Sequence, residues 1–361
     1  MDGLGKRAAG ERLARMQASP QWGCRGFVNP EPLSNDPLRA LISWTTSRAV
    51  KVPTADVPVA NVDPAIFEKP ASSGLRVTWF GHSSSLVELG ERRVLIDPVW
   101  SGRVSPVSWA GVRRWYDAPL ALEDLPEVDA ILISHDHYDH LDRPTVEAFR
   151  ERDTRWVVPL GVGAHLAYWG IPEERITELD WWEAASLPDL EITCTPARHA
   201  SGRAVVDSNK TLWGGFVLRT QAQRVYYSGD TGLFHGLEEI GQRLGPFDLT
   251  MIEVGAYNQA WPDWHIGPEQ AVQAHRWLDG RVLLPVHWGL FNLSTHGWTE
   301  PAERVLAAAG EAGVRVALPR PGESFEPAVA PPSSRWWPEV PWQTAEQHPV
   351  VSTQVDRPTE S

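Results

Sequence analysis

Ser134-His135-Asp136-His137-Tyr138-Asp139-His140-Leu141-Asp142 sets three histidines and two aspartates into six consecutive positions, directly after the apolar run Ala130-Ile131-Leu132-Ile133. Imidazoles crowded this closely repel one another when protonated, and leave ring nitrogens unpaired when neutral and buried. A divalent cation removes both problems, because neutral imidazole and carboxylate are ligands it accepts. Period-two spacing turns His135 and His137 to the same side as the strand ends. Asp139 and His140 then reach a neighbouring point as the chain curls away. One motif can thus feed two adjacent metal positions, which is the signature of a metal-dependent hydrolase.

Four ligands from one motif leave the set incomplete, so further donors are expected on loops that follow other strands. His199 follows the strand-like Glu191-Ile192-Thr193-Cys194-Thr195-Pro196-Ala197. Asp230 lies in Arg224-Val225-Tyr226-Tyr227-Ser228-Gly229-Asp230-Thr231-Gly232, an apolar run that closes in a glycine-bracketed turn. His287 ends Arg281-Val282-Leu283-Leu284-Pro285-Val286-His287. In this order of motifs the chain resembles the metallo-β-lactamase superfamily. Within it, the chain is most similar to the branch holding N-acyl-phosphatidylethanolamine phospholipase D and its bacterial relatives, alongside ascorbate-6-phosphate lactonase-like proteins. The segments that carry the likeness include Trp79-Phe80-Gly81-His82-Ser83, Leu95-Ile96-Asp97-Pro98, Gly245-Pro246-Phe247-Asp248-Leu249, Gly255-Ala256-Tyr257, His265-Ile266-Gly267-Pro268-Glu269 and His287-Trp288-Gly289. Phe27-Val28-Asn29-Pro30 adds a weaker match. After Tyr257 comes Asn258-Gln259-Ala260-Trp261, where the lipid enzyme would carry an arginine.

The resemblance implies a four-layer αββα sandwich, an α/β fold. It implies that His135, His137 and His199 hold one metal, that Asp139, His140 and His287 hold a second, and that Asp230 bridges them. A mixed imidazole and carboxylate set suits zinc, and a bridging carboxylate lessens repulsion between cations ~3.5–4 Å apart. Two Zn2+ ions are expected, with manganese or iron as alternatives. A hydroxide between them is the expected nucleophile, so no serine or cysteine is required. Asp139 would steer it or protonate the leaving group, and His265 is the second candidate catalytic residue. His82, Tyr257, Trp261 and Trp288 are the candidate substrate contacts, and Asp97 is expected to orient a metal-ligating histidine. The expected reaction is phosphodiester hydrolysis on an N-acyl-phosphatidylethanolamine-like phospholipid. A lactonase or other carboxylic ester hydrolase is one alternative, and a non-catalytic lipid- or metabolite-binding scaffold is another. The iron-based redox branch begins its motif H-x-E, whereas this chain has His137, which favours hydrolysis.

Composition narrows the partners. With 361 residues, a formal net charge of −13 and a pI near 5.4, the chain lacks the basic surface that nucleic acid binding requires. The expected partner is a small-molecule or lipid substrate. Cys24 and Cys194 are far apart and lack ligand spacing, so one surface thiol and one strand-buried thiol are expected. No run of ~18 apolar residues appears, and residues 1–21 have no apolar segment of signal-peptide type. A cytoplasmic protein is expected, with peripheral membrane contact left open.

Residues 1–70 are broken by Pro20, Pro30, Pro32, Pro37, Pro53, Pro58, Pro64 and Pro70, which predicts an irregular extension wrapping the main domain. Residues 71–326 are expected to form the catalytic domain and 327–361 a proline-rich tail, docked in part through Trp336, Trp337 and Trp342. Patterning predicts strands at 75–80, 84–89, 92–96, 128–134, 155–159, 190–195, 213–219, 224–228, 247–253, 281–286 and 314–318. Helices are predicted at 144–152, 162–169, 234–244, 268–278 and 300–312, the fourth opening on Pro268-Glu269.

Overall fold

The computed structural model describes residues 2–204 and 206–355. Its strands are β1 (Leu75–Gly81), β2 (Ser84–Leu89), β3 (Arg92–Ile96), β4 (Arg103–Val104), β5 (Val112–Arg113), β6 (Ala130–Leu132), β7 (Arg155–Pro159) and β8 (Ile176–Leu179). They continue with β9 (Ala184–Leu187), β10 (Leu190–Thr195), β11 (Gly215–Arg219), β12 (Arg224–Tyr227), β13 (Leu249–Glu253), β14 (Leu283–Val286) and β15 (Ser324–Phe325). The helices are α1 (Gly10–Ala18), α2 (Pro37–Thr46), α3 (Arg143–Ala148), α4 (Gly163–Tyr168), α5 (Gly236–Leu244), α6 (Pro268–Trp277) and α7 (Glu300–Ala312).

One sheet runs β15-β1-β2-β3-β6-β7-β8 and the other β14-β13-β12-β11-β10-β9. Alternation along the strands of the first sheet creates the layers. Val77, Val87, Val94, Ile96, Ala130 and Leu132 point to the second sheet and join Ile192, Phe216, Val225 and Met251 in one core. Phe80, Leu86, Leu95, Ile131 and Ile133 point the other way, onto Val146 and Phe149 of the α3 region and Leu166 of α4. Leu237, Ala271 and Val305, from α5, α6 and α7, pack with the second sheet. The order is therefore helix, sheet, sheet, helix, as expected. The pairs β3–β6, β6–β7, β12–β13 and β13–β14 are parallel. Loops at the carboxyl ends of such strands converge on a crevice, the usual place for a site in open α/β sheets.

Three expectations for the elements need correction. The N-terminal 70 residues hold α1 and α2, which a count of prolines concealed. Pro37 opens α2 at a position needing no N–H, while the Asp36 carboxylate accepts from Arg39 N at 2.9 Å. The helix α1 is tethered by Arg12 to Glu178 at 2.8 Å and to Glu173 at 2.6 Å. The strand expected at 314–318 reduces to one bridge, Val316 with Leu283. Finally, β8 and β9 complete the two sheets where none was predicted.

The tail docks through Trp336, stacked on Trp288 at 5.4 Å, and Trp337, whose indole N–H donates to Glu303 at 2.8 Å. Cys24 is exposed and Cys194 buried, both as free thiols. No helix among the described residues is long and apolar enough to cross a membrane.

Candidate metal centre

The carboxyl ends of β6, β10, β12 and β14 deliver the histidines and aspartates of the motifs to one point. One ligand atom from each of His135, His137, His199 and Asp230 lies within 4.8 Å of the others, and so do those of His82, Asp139, His140 and His287. Asp230 stands between the groups. Its Oδ2 is 3.8 Å from His135 Nε2 and 3.7 Å from His199 Nε2 on one side, and 3.2 Å from His140 Nε2 and 3.1 Å from His287 Nε2 on the other. Asp139 Oδ2 lies 3.4 Å from His140 Nε2 and 3.3 Å from His287 Nε2.

Close approach of the loops makes this convergence possible. Gly229, just before Asp230, has φ +58°, and a Cβ there would stand 2.7 Å from Gly214 O and 2.9 Å from Ser134 Cβ. Only glycine fits both demands. The sheets are tied at the site by His287 N donating to His82 O (2.9 Å) and His82 N donating to Trp288 O (3.0 Å). His82, Asp97, Ala256 and His287 all have positive φ, a concentration of backbone strain typical of a functional site.

The ligands are held from behind. Asp97 is buried, and its carboxylate accepts from Ser134 N at 2.7 Å, Ser134 Oγ at 2.6 Å, His140 Nδ1 at 2.6 Å and the Tyr227 hydroxyl. His140 therefore presents Nε2 to the centre, as a ligating imidazole with a carboxylate partner does. His199 donates from Nδ1 to Trp264 O at 2.9 Å, while its backbone is clamped on both sides by the Asn29 amide (2.9 and 2.6 Å).

Electrostatics fit the same reading. Burial first, then neighbouring imidazoles, holds His135 well below the ordinary histidine value; burial outweighs Asp230 and does the same for His199. Neutral imidazole is the ligand form. Burial also pulls on His140 and His287, but Asp230 and Asp139 outweigh it, raising His140 well above its ordinary value and His287 to about 10. Burial tends to raise Asp139 and Asp230, yet the adjacent imidazoles keep both well below the carboxylate range. The carboxylates thus demand positive charge at this point. His140 Nε2 and Asp230 Oδ1 are buried without a hydrogen-bond partner among the described residues. Donor set, unpaired atoms and charge all suit divalent cations.

The structure sorts the other candidates. His265 joins the centre, its ring stacked on His287 at 5.2 Å and its Nδ1 2.8 Å from Glu253 Oε2. His82, expected to meet substrate, is instead buried behind Asp139, with Nε2 on its Oδ2 at 3.0 Å. Tyr257 is buried with its hydroxyl donating to Glu300 at 2.6 Å, and Trp288 is buried and stacked on Trp79 at 5.6 Å. Trp261 does line a cleft of about 390 Å³, with Asn35, Pro37, Ala40, Trp264 and His265. Glu253 and Asn29 were missed. The signal for Glu253 was an acid at the end of the apolar run Leu249-Thr250-Met251-Ile252.

Purified protein is expected to carry close to two equivalents of transition metal, and to lose them together with activity on chelation. Elemental analysis after metal-replete expression checks this, and only trace metal would refute it.

Residues 92–288 match the family model described as the Beta-lactamase superfamily domain. An uncharacterized protein of Mycobacterium tuberculosis (strain ATCC 25618 / H37Rv) is 45% identical over 346 residues, covering 92% of this chain and 91% of its own. The N-acyl-phosphatidylethanolamine-hydrolyzing phospholipase D 1 of Caenorhabditis elegans is 37% identical over 268 residues, 71% of this chain and 75% of that one. Among solved structures, Igni18, a metallo hydrolase from Ignicoccus hospitalis KIN4/I, aligns with a TM-score of 0.54 at 25% identity, over 70% of this chain and 98% of its own. The chain belongs to the beta-lactamase superfamily.

Proposed function

We propose that this member of the beta-lactamase superfamily, a metal-dependent hydrolase, is a zinc-dependent phosphodiesterase acting on an N-acyl-phosphatidylethanolamine-like phospholipid. The observation that carries the hydrolase reading is Asp230 Oδ2, set 3.1–3.8 Å from four imidazole nitrogens of two groups. In this reading His135, His137 and His199 hold one ion, Asp139, His140 and His287 the other, and Asp230 bridges. Zinc bound there would polarise a phosphoryl oxygen and activate water at neutral pH.

The protein's own groups then orient the reactants. Asp139 and His265 keep 14% and 15% of their side chains exposed, while His135, His140, His199 and His287 keep 1% or less. His137 is also only partly buried, and Asp139 and His265 are the partly exposed pair assigned in this reading to the reactants. Asp139 would accept a hydrogen bond from the attacking water, and His265 would serve the leaving oxygen.

The cleft beside His265 supports a lipid substrate. Trp261, Trp264, Pro37 and Ala40 form an apolar wall, and α2 above it exposes Leu38, Leu41, Ile42 and Trp44. Such a helix suits peripheral contact with lipid. The similarity to a phospholipase D favours the same class. An acyl chain along this wall would gain ~0.8 kcal/mol per buried CH₂. Activity on phosphodiesters is therefore expected to rise with the length of an attached acyl or alkyl group, and Trp261→Ala to flatten that rise without removing metal. A short, water-soluble lactone turned over faster than every lipid-like phosphodiester would overturn the phospholipase reading in favour of a lactonase.

A further inference from the structure

Glu253 ends β13 fully buried, at the carboxyl end of an apolar strand. A carboxylate in such surroundings is costly unless donors surround it. One oxygen accepts from the backbone N–H of Thr231, the residue after Asp230. The other accepts from His265 Nδ1 at 2.8 Å and lies 3.5 Å from His287 Nδ1. The Thr231 contact would satisfy a purely structural acid, whereas the bond to His265 reaches a separate loop.

His265 sits edge-on to His199 at 5.0 Å and nearly parallel to His287, at an interplanar angle of 17°. A half-turn of the ring about Cβ–Cγ would turn its nitrogens to the opposite face, with Cδ2 where Nδ1 stands and Cε1 where Nε2 stands. Glu253 decides between the two faces: with Nδ1 tied to the carboxylate, Nε2 is left for the cleft that His265 lines. An imidazole fixed at one nitrogen offers the other in a single orientation, and no rotation is lost at the transition state.

We propose that Glu253 is a positioning residue, which fixes the His265 ring so that Nε2 meets the leaving oxygen of the substrate. This rests on the reading of His265 as a group that serves the leaving oxygen, and not on the identity of the substrate.

The test uses metal-loaded Glu253→Gln, nearly the same in shape but uncharged. Two phosphodiesters with the same phosphoryl part are compared, one with a p-nitrophenyl leaving group and one with an alkyl leaving group. The aryl oxide departs without help, while the alkoxide needs it. Expected is wild-type metal content, with kcat on the alkyl substrate down by about 10²-fold and on the aryl substrate by less than about tenfold, the range set by proton-transfer assistance. His265→Asn should give the same pattern, and the double variant should be no worse than the poorer single one. Equal losses on both leaving groups, or loss of metal from Glu253→Gln, would overturn the proposal and leave Glu253 as support for His287. If Glu253→Gln does not fold, equal losses in His265→Asn overturn it instead. Should the wild type cleave carboxylic esters but no phosphodiester, the aryl and alkyl ester pair decides the role of Glu253, and only the phosphodiesterase reading fails.

Discussion

Asp230→Ala is expected to remove both metals and to lower turnover by about 10²-fold or more, the largest functional loss of any single substitution at the centre. The reason is geometric. Asp230 Oδ2 lies 3.8 and 3.7 Å from the Nε2 atoms of His135 and His199, and 3.2 and 3.1 Å from those of His140 and His287. Removing that oxygen leaves each group short of a donor and lets two cations face each other without a carboxylate between them. His287→Ala, by contrast, takes a ligand from one group and should chiefly weaken one ion. Elemental analysis with steady-state kinetics separates the cases. An Asp230→Ala protein with wild-type metal content and turnover would show that the bridging assignment is wrong.

Asp97→Ala is expected to be the most destabilising change near the centre. Its carboxylate accepts from Ser134 N, Ser134 Oγ, His140 Nδ1 and Tyr227, all inside the core. Truncation strands those buried donors, and loss of one partner from a buried charged network costs about 3–5 kcal/mol. Asp97→Asn keeps the volume but turns one acceptor into a donor. It should lower affinity for one metal by about 10–100-fold, the usual effect of removing the group behind a ligating histidine. Urea unfolding of the alanine variant and competition with a chromophoric chelator for the asparagine variant check the two effects. Unchanged values in both would mean that Ser134 alone positions His140.

Much of this was legible in the chain. Strand patterning located β1, β2, β3, β7 and β10 to within a residue, because alternation and bounding turns are local properties. Local signals failed where tertiary partners supplied the stability. The helix α1 owes its place to Arg12 and Glu178, more than 160 residues apart in sequence. The strand β9 is the edge partner of β10, aligned Leu187 with Leu190.

At the centre the division is sharper. The spacing within residues 135–140 and the three later motifs determined the donor types, because a crowd of imidazoles and carboxylates at strand ends has one chemical remedy. Direction was beyond the reach of sequence. Trp288 follows a ligand, but its indole packs with Trp79 and Trp336 in the core. Tyr257 looked like a wall of the site and is held away from it by Glu300. Glu253 read as an acid ending an apolar strand, and only the meeting of three separate chain segments at Thr231, His265 and His287 gives it a place. The chain's own order thus determined which atoms can hold a cation. The packing of one sheet against the other decided which side chains are buried and which border the cleft, since that depends on contacts between residues no local pattern links.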